Sequence, residues 1–329
     1  MSAIADNERL STGLSFLTRP LRQRLKLSPA DALFETRGFS ASNAASRSEL
    51  ERIGSVFIGG FNAALTADDL APVLQHVESI SLADRGFAAE GATMGAAVAD
   101  ALPFGRSLLP QCVAAFSADF TYLAHVGAGW ALARIPWRRK RILAPLDPIH
   151  GWLAVDGLGF HDTYFHHRDI VAGWRRKKSG YASEAYDQGI GRALWFVSGG
   201  SVTGAVRLIS SFAVERRRDL WSGLGLAMAY AGPTADDDVI DALEAAGGNV
   251  AHFAQGVAFA CEARVRGGLT PDHTKTVAQN VWNRTPSEVA VLVREFRRDL
   301  PQSETNPPRY QIWRAKVAHA FPRSARRLS

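Results

Sequence analysis

The sequence predicts an all-α protein built from tandem helix pairs of about 33 residues, stacked as a solenoid or closed into an α/α ring. The 329 residues are 47% hydrophobic, which is enough to bury a large core. Apolar residues follow a helical period through most of the chain. A Gly-x-small triplet also recurs at spacings of 36, 30, 32, 34 and 33 residues. Such a period is typical of stacked helical repeats. The triplets begin at Gly91, Gly127, Gly157, Gly189, Gly223 and Gly256.

The first 45 residues differ in composition from the rest of the chain. Residues 1–45 are polar and are interrupted by Pro20, Pro29 and Gly38. We therefore expect a flexible, loosely attached N-terminal arm that contains a short basic helix around Leu21–Leu27.

A single helical-repeat domain is expected at residues 46–320, followed by a basic tail at residues 321–329. Its first helix covers Ser48–Leu65, and Thr66 is placed to cap the next one. The best candidate for a strand, Leu194–Val197, also fits a buried helix.

The recurring glycines need a physical explanation, because each one inside a helix costs about 1 kcal/mol relative to alanine. Three explanations remain open. The glycines allow tight helix packing, they end helices as C-caps, or they line a shared cavity.

Most triplets follow a polar residue in an otherwise apolar stretch. If the repeats curve, these residues converge on a concave pocket with aromatic neighbours such as Trp130 and Phe160. The residues predicted to bind a substrate there are Glu90, His125, Asp156, Gln188, Trp221 and Gln255.

The densest group of chemically active side chains includes His161, Asp162 and His166. On a helix, Asp162 and His166 are four residues apart and share a face. This spacing suits a metal site, a general base with its orienting carboxylate, or structural hydrogen bonding. A third metal ligand, such as His150, His161 or His125, has to be supplied by the fold.

A second candidate catalytic pair is Asp187 and Arg192. Gln188 and Arg192 lie four residues apart on one helical face within an apolar run. A buried arginine needs a carboxylate or a ligand anion as its partner. Asp187, Asp156 and Glu184 are the carboxylates available for an internal salt bridge.

Asp237, Asp238 and Asp241 form a DDxxD pattern, which is the magnesium-binding signature of class I terpene synthases. The same acids fit the first turn of a helix capped by Thr234, where they favour the positive end of the helix dipole.

Composition and motifs exclude several classes of function. The net charge of +6 comes from short, scattered basic clusters without a nucleic-acid-binding motif, so no nucleic-acid partner is expected. Cys112 and Cys261 lack metal-ligand spacing, and no signal peptide or membrane-spanning segment is recognisable. GxSxG, HExxH and Walker A motifs are missing, and the residues assign no cofactor. We expect a cytoplasmic protein that does not span a membrane.

Long ordered motifs resemble the DUF1702 family of bacterial proteins, and the resemblance runs from about Phe34 to Trp313. The segments that carry it are Glu35–Phe39, Arg85–Gly91, His125–Arg134, Asp156–His161, Tyr164–His166, Asp187–Phe196, Asp219–Leu226 and Gln255–Ala260.

This resemblance implies a role in natural-product biosynthesis, because members accompany iterative polyketide synthases in enediyne and related gene clusters. It implies a linear polyene intermediate as the bound molecule. The polyketide synthase or its carrier protein, together with the cassette's integral membrane protein and repeat protein, are the implied partners.

Three functional hypotheses follow. The first is a pocket that acts on a long apolar intermediate, with basic surface clusters docking an acidic carrier protein. A non-catalytic scaffold that holds the intermediate or the pathway partners is the second. A terpene-cyclase-like, magnesium-dependent enzyme is the third.

Overall fold

The computed structural model describes residues 18–41, 43–103, 106–174 and 178–321, and all regular structure in these ranges is helical. The expected all-α class is therefore confirmed. A short helix, Phe34–Arg37, lies in the arm. From Ala44 onward the α-helices are α1 Ala44–Thr66, α2 Ala71–Ser79, α3 Arg85–Ala101, α4 Leu108–Ala115, α5 Thr121–Arg134, α6 Arg139–Leu143, α7 Leu153–Val171, α8 Tyr181–Val197, α9 Val202–Ser210, α10 Val214–Tyr230, α11 Asp236–Ala246, α12 Val250–Arg266, α13 Asp272–Trp282, α14 Pro286–Arg298 and α15 Arg309–Ala320.

Seven long helices, called the core helices here, are α1, α3, α5, α7, α8, α10 and α12. Each packs against the next one in chain order. The late core helices also contact the early ones. The rings of Phe87 in α3 and Tyr230 in α10 are 5.3 Å apart, and Arg264 in α12 donates a 2.5 Å hydrogen bond to the carbonyl oxygen of Ala83. The core helices thus share one buried interior.

The triplet glycines lie where successive core helices cross. A Cβ atom on Gly157 would collide with the carbonyl oxygen of Val126 in the preceding core helix, and one on Gly159 with that of Tyr186 in the following core helix. Glycine is therefore required for this approach of the two backbones. For the first glycine of the triplet, the same contact joins Gly91 to Phe57, Gly127 to Glu90, Gly189 to Asp156, Gly223 to Gln188 and Gly256 to Ser222. For the third, it joins Gly129 to Ala154, Gly191 to Leu220 and Gly225 to Phe253.

These contacts decide between the three explanations of the glycines in favour of tight helix packing. They also fix the register of the helices. From α5 onward, the first glycine always meets the carbonyl of the residue that directly precedes the previous triplet. Residues before the triplets therefore occupy equivalent positions in successive helices.

The described part of the N-terminal arm is firmly packed, so the expectation of loose attachment is wrong for these residues. Residues 18–24 are helical, in agreement with the predicted short helix. The backbone of Leu27 exchanges two 3.0 Å hydrogen bonds with the side-chain amide of Asn62 in α1. Phe34 is buried in the core. Residues 1–17 and 322–329, which include nearly all of the expected basic tail, lie outside the described residues.

The local predictions for Thr66 and for Leu194–Val197 have different outcomes. Thr66 does not cap the second helix, because it is the last residue of α1 and its hydroxyl donates a 2.7 Å hydrogen bond to the carbonyl of Asn62. The helix α2 follows Leu70 without a side-chain cap. Leu194–Val197 is the buried end of α8, so the helical interpretation of this segment is confirmed.

Within the described ranges, no helix has the length and apolar character needed to cross a membrane. Cys112 and Cys261 are buried free thiols.

Replacing one crossing glycine should destabilise the fold. We expect Gly157→Ala to lower the free energy of unfolding by about 1–3 kcal/mol or more, because the new methyl group overlaps the backbone of α5. The matched control is Gly248→Ala, since a Cβ there meets no atom within 4 Å and its φ is not positive. It should change stability by less than about 0.5 kcal/mol. Equal denaturation midpoints for the two variants would contradict this account of the glycines.

Candidate functional site

A cavity of about 60 Å³, called the aromatic cavity here, lies between core helices α1, α3, α5, α7, α8 and α10 and the arm residues Leu27 and Asp31. Eight of its nineteen lining residues are aromatic. They contact one another, with 4.5 Å between the ring centroids of Phe57 and Trp130 and 5.1 Å between those of Trp130 and Phe160. The aromatic lining residues are Phe57, Phe87, Trp130, Phe160, Tyr164, Phe165, Phe196 and Tyr230.

Glu90 of α3 brings an ionisable carboxyl group into this apolar wall. Its side chain is buried, and Trp130 donates a 2.9 Å hydrogen bond from Nε1 to its Oε1 atom. Burial raises the pKa of Glu90 to about 7, although the charge of Arg192 and the hydrogen bond from Trp130 act against this rise. Both the acid and its conjugate base are therefore populated near neutral pH, as general acid–base catalysis requires.

Arg192 of α8 also lines the cavity and is held by α7. Its Nη1 donates a short hydrogen bond to Oδ1 of Asp156, whose Oδ2 accepts a 2.8 Å hydrogen bond from Nε2 of Gln188. The guanidinium lies 5.0 Å from the ring centre of Phe160. Burial alone would lower the pKa of Arg192, but the negative charges of Asp156 and Glu90 outweigh it and raise this pKa. Of the three carboxylates considered from the sequence, Asp156 is the partner.

The helix register brings these side chains together. Glu90, Asp156 and Gln188 each precede a triplet and therefore lie beside a helix crossing. The third residue after the first glycine of a triplet comes four positions after the residue that precedes the triplet, so the two share a helical face. This third residue lines the cavity in five core helices. These five residues are Met94, Trp130, Phe160, Arg192 and Leu226.

Sequence reasoning missed a further set of lining residues one helical turn beyond these. Tyr164, Phe196 and Tyr230 all lie seven residues after the first glycine of their triplets and all line the cavity. The recurring aromatic residue at this position was the available signal. Phe57, Phe87 and Asp31 do not share it and could be placed only by the fold.

The other predicted substrate-binding residues lie outside the aromatic cavity. Gln255 accepts hydrogen bonds from Ser222 at 2.8 Å and from Arg314 at 3.2 Å, and it lines a separate polar cleft with Asp219. Trp221 packs against Phe253.

His125 has a local structural role. Its Nδ1 bonds the carbonyl of Thr121 at 2.6 Å, and its Nε2 accepts from the backbone N–H of Asp147 at 3.0 Å. Burial lowers the pKa of His125 to about 4, so the ring is neutral at physiological pH.

The predicted cluster on α7 is only partly assembled. The nitrogen atoms of His161 contact Arg134 at 3.2 Å and Asp162 at 3.4 Å, and Tyr186 donates a 2.7 Å hydrogen bond to Asp162. His166 does not join them. The backbone leaves helical geometry at this residue, with φ −136° and ψ 36°, and its side chain is exposed while that of Asp162 is buried. The expectation that Asp162 and His166 share a face is therefore wrong.

Asp187 lies on a different side of α8 from Arg192. It accepts hydrogen bonds from Nε and Nη2 of Arg216 at 2.9 and 2.6 Å and does not line the aromatic cavity. Across the described ranges, no three His, Cys, Asp or Glu side chains are grouped to hold a metal ion.

The DDxxD acids lie on the surface in the first turns of α11. Asp238 accepts a 2.9 Å hydrogen bond from the backbone of Ala235, which is the N-cap residue. The cap was predicted at Thr234, but the hydroxyl of that residue donates to the carbonyl of Met228 instead. Asp237 and Asp241 are exposed.

The buried carboxyl of Glu90 should make stability depend on pH. Its pKa is about 7 in the folded protein against 4.5 normally, so the folded chain keeps a proton that the unfolded chain releases. The free energy of unfolding should therefore fall as the pH rises from about 4.5 to about 7.

Glu90→Gln removes this titration and should raise stability at pH 8 by about 2–3 kcal/mol. Urea denaturation across this pH range measures the effect, and Glu244→Gln on the exposed face of α11 is the control. A slope that persists unchanged in Glu90→Gln would show that other groups cause it.

Comparison with known proteins gives one match. A family model described as "Protein of unknown function (DUF1702)" matches residues 17–321. Searches of curated proteins and of solved structures returned no match. Because the match spans nearly the whole sequence, the chain belongs to the DUF1702 family.

Proposed function

We propose that this protein binds an apolar, unsaturated intermediate of natural-product biosynthesis in the aromatic cavity and acts on it through Glu90. One observation carries the proposal: a largely apolar cavity with eight aromatic lining residues contains a carboxyl group whose pKa is about 7. The resemblance to proteins of enediyne-type clusters supports a polyene or polyketide as the bound molecule.

The wall of the cavity suits conjugated carbon chains. Ring faces such as those of Phe160 and Tyr164, which are stacked with centroids 6.0 Å apart, offer flat contact surfaces to a planar polyene. Few charged groups interrupt the wall. Besides Glu90 and Arg192 there is Asp31, which forms a 2.6 Å ion pair with Arg37 on the arm side.

The size of the cavity adds a requirement. At about 60 Å³ it has room for roughly four water molecules, at about 10–15 Å³ each, and thus for one end of a long chain. The remainder of the ligand must then pass beneath the arm, where Leu27 lines the cavity and is tied to Asn62. We propose that this part of the arm separates from α1 when a long intermediate binds.

We further propose that the core helices are copies of one unit of about 33 residues and that their row closes into a ring. The equivalent glycine contacts at successive crossings support the repeat. Contacts of α10 and α12 with α3 and α5 support closure.

A scaffold function is the second candidate, and one surface feature favours it. Trp137 is 74% exposed and precedes the basic run Arg138–Arg141. An exposed indole beside basic side chains suits docking of an acidic carrier protein of the pathway in the cytoplasm. The terpene-cyclase hypothesis finds no comparable support, because its acids lie on α11 outside the cavity.

Pathway output distinguishes catalysis from scaffolding. In a producing strain, Glu90→Gln should reduce the product about 100-fold or more, which is the usual effect of losing a general acid or base. The exposed Glu244→Gln should match wild type. A full amount of product with Glu90→Gln, together with loss of product with Trp137→Ala, would favour the scaffold function over catalysis.

Bound ligand can be tested directly by native mass spectrometry on protein purified from a host that expresses the neighbouring synthase. We expect a co-purifying unsaturated molecule in wild type and in Glu90→Gln. A ligand-free wild type from a productive host would contradict binding in the cavity.

The magnesium hypothesis has its own test. The double variant Asp237→Asn and Asp241→Asn should keep full pathway output, because these exposed side chains do not reach the cavity. A loss of output that added magnesium partly restores would revive the terpene-cyclase hypothesis.

A further inference from the structure

Glu90 and Arg192 each use only some of their polar atoms in hydrogen bonds with the described residues. Oε1 of Glu90 accepts a hydrogen bond from Trp130, while Oε2 accepts none from these residues. Nη1 of Arg192 donates a hydrogen bond to Asp156, while Nε and Nη2 donate none to the described part of the chain. Glu90 is 4% exposed and Arg192 is 7% exposed. Both residues line the cavity, so a ligand in it lies within reach of the two side chains.

These atoms define the ligand that completes the site. A guanidinium in an apolar cavity needs an acceptor oxygen, and its N–H groups have no acceptor capacity of their own. Apart from Asp31, the rest of the wall is apolar, with eight aromatic residues among aliphatic ones, and suits an unsaturated hydrocarbon. The complementary ligand is thus an unsaturated chain that ends in a carbonyl group, with its oxygen on Arg192 and a neighbouring carbon beside Glu90.

We propose that the protein shifts a carbon–carbon double bond relative to a carbonyl group by carrying a proton between two carbons of the substrate on Glu90. This inference rests on the proposed binding of an unsaturated molecule in the same cavity. It adds the reaction class and the functional group that the substrate must contain.

The reaction is an isomerisation that balances without a further reactant. The carboxylate of Glu90 removes a proton from the carbon between the carbonyl and the double bond. The electron pair of that C–H bond delocalises into a dienolate, whose oxygen accepts hydrogen bonds from Arg192. The Glu90 carboxylic acid then returns the proton to the far carbon of the former double bond. The double bond is now conjugated with the carbonyl, and Glu90 is again a carboxylate.

The surroundings of the two side chains suit this step. The apolar wall makes Glu90 a stronger base than an exposed carboxylate, and Arg192 supplies a fixed positive charge where the enolate oxygen develops. Two further groups act on Glu90. The Asp156 charge raises its pKa, and the Trp130 hydrogen bond lowers it. Asp156 and Gln188 are positioning residues, because they hold Arg192 and its carboxylate partner without lining the cavity.

The test uses 4-hexen-2-one, a six-carbon ketone that contains the carbonyl group and the double bond of the proposed reaction, and follows its conversion to 3-hexen-2-one by proton NMR with the full-length protein. We expect wild type to accelerate the conversion about 100-fold or more over buffer. Glu90→Gln should return the rate to background while its dissociation constant for 3-hexen-2-one, measured by calorimetry, stays within about threefold. Glu244→Gln should behave as wild type.

A second variant separates chemistry from folding. Trp130→Phe removes the hydrogen bond that lowers the pKa of Glu90, so the midpoint of its rate against pH should move upward from the wild-type value near 7. An unmoved midpoint in a folded, active variant would overturn the role of Glu90.

The outcomes for the two proposals differ. Binding of 3-hexen-2-one without isomerisation of 4-hexen-2-one by wild type would overturn the isomerase inference and leave the proposed binding function standing. Undetectable binding of both ketones would contradict the binding function itself. An undiminished rate in Glu90→Gln would overturn the proton transfer.

Discussion

At each crossing of the core helices a glycine lies against a backbone carbonyl, and this close approach determines which side chains face the interior. A side chain on Gly157 or Gly189 would strike the neighbouring helix, so the crossings hold only with glycine at these points. Because the contact recurs in one register, side chains at fixed offsets from each triplet face the same interior. The aromatic cavity and its charged groups result from that register more than from any single loop.

The closely packed core helices remove a few polar groups from water. Burying a carboxyl or a guanidinium costs free energy unless hydrogen bonds or opposite charges offset the loss of water. Among the described residues, Arg192 has Asp156 as a partner, whereas Glu90 has only the hydrogen bond from Trp130 and a more distant charge. Glu90 therefore retains its proton to about pH 7. A carboxyl with so few hydrogen bonds in an apolar wall lowers the stability of the folded protein, but its raised pKa suits proton transfer near neutral pH.

The helical class was predictable from the sequence, because it depends on periodicity. Of the polar residues that were expected to converge on one pocket, Glu90 lines the aromatic cavity, whereas His125 and Gln255 do not. Arg192 was predicted to need a carboxylate, and the fold selected Asp156. Other features depend on tertiary contacts that periodicity does not encode. His166 is lost from its expected face through a local break in α7, and the arm is fixed by Leu27 and Asn62, which are 35 residues apart. The aromatic residues seven positions after the glycines carried a signal that was recognisable only once the register was known.

Both proposals depend on Glu90 being an ionisable group inside a ligand-binding cavity. A carbon-13 NMR titration of the Glu90 carboxyl, with and without 3-hexen-2-one, measures this property. We expect a midpoint near 7 in the free protein and a shift of the carboxyl resonance when the ketone binds. A midpoint near 4.5 with no response to the ketone would show that Glu90 is an ordinary carboxyl group away from any ligand.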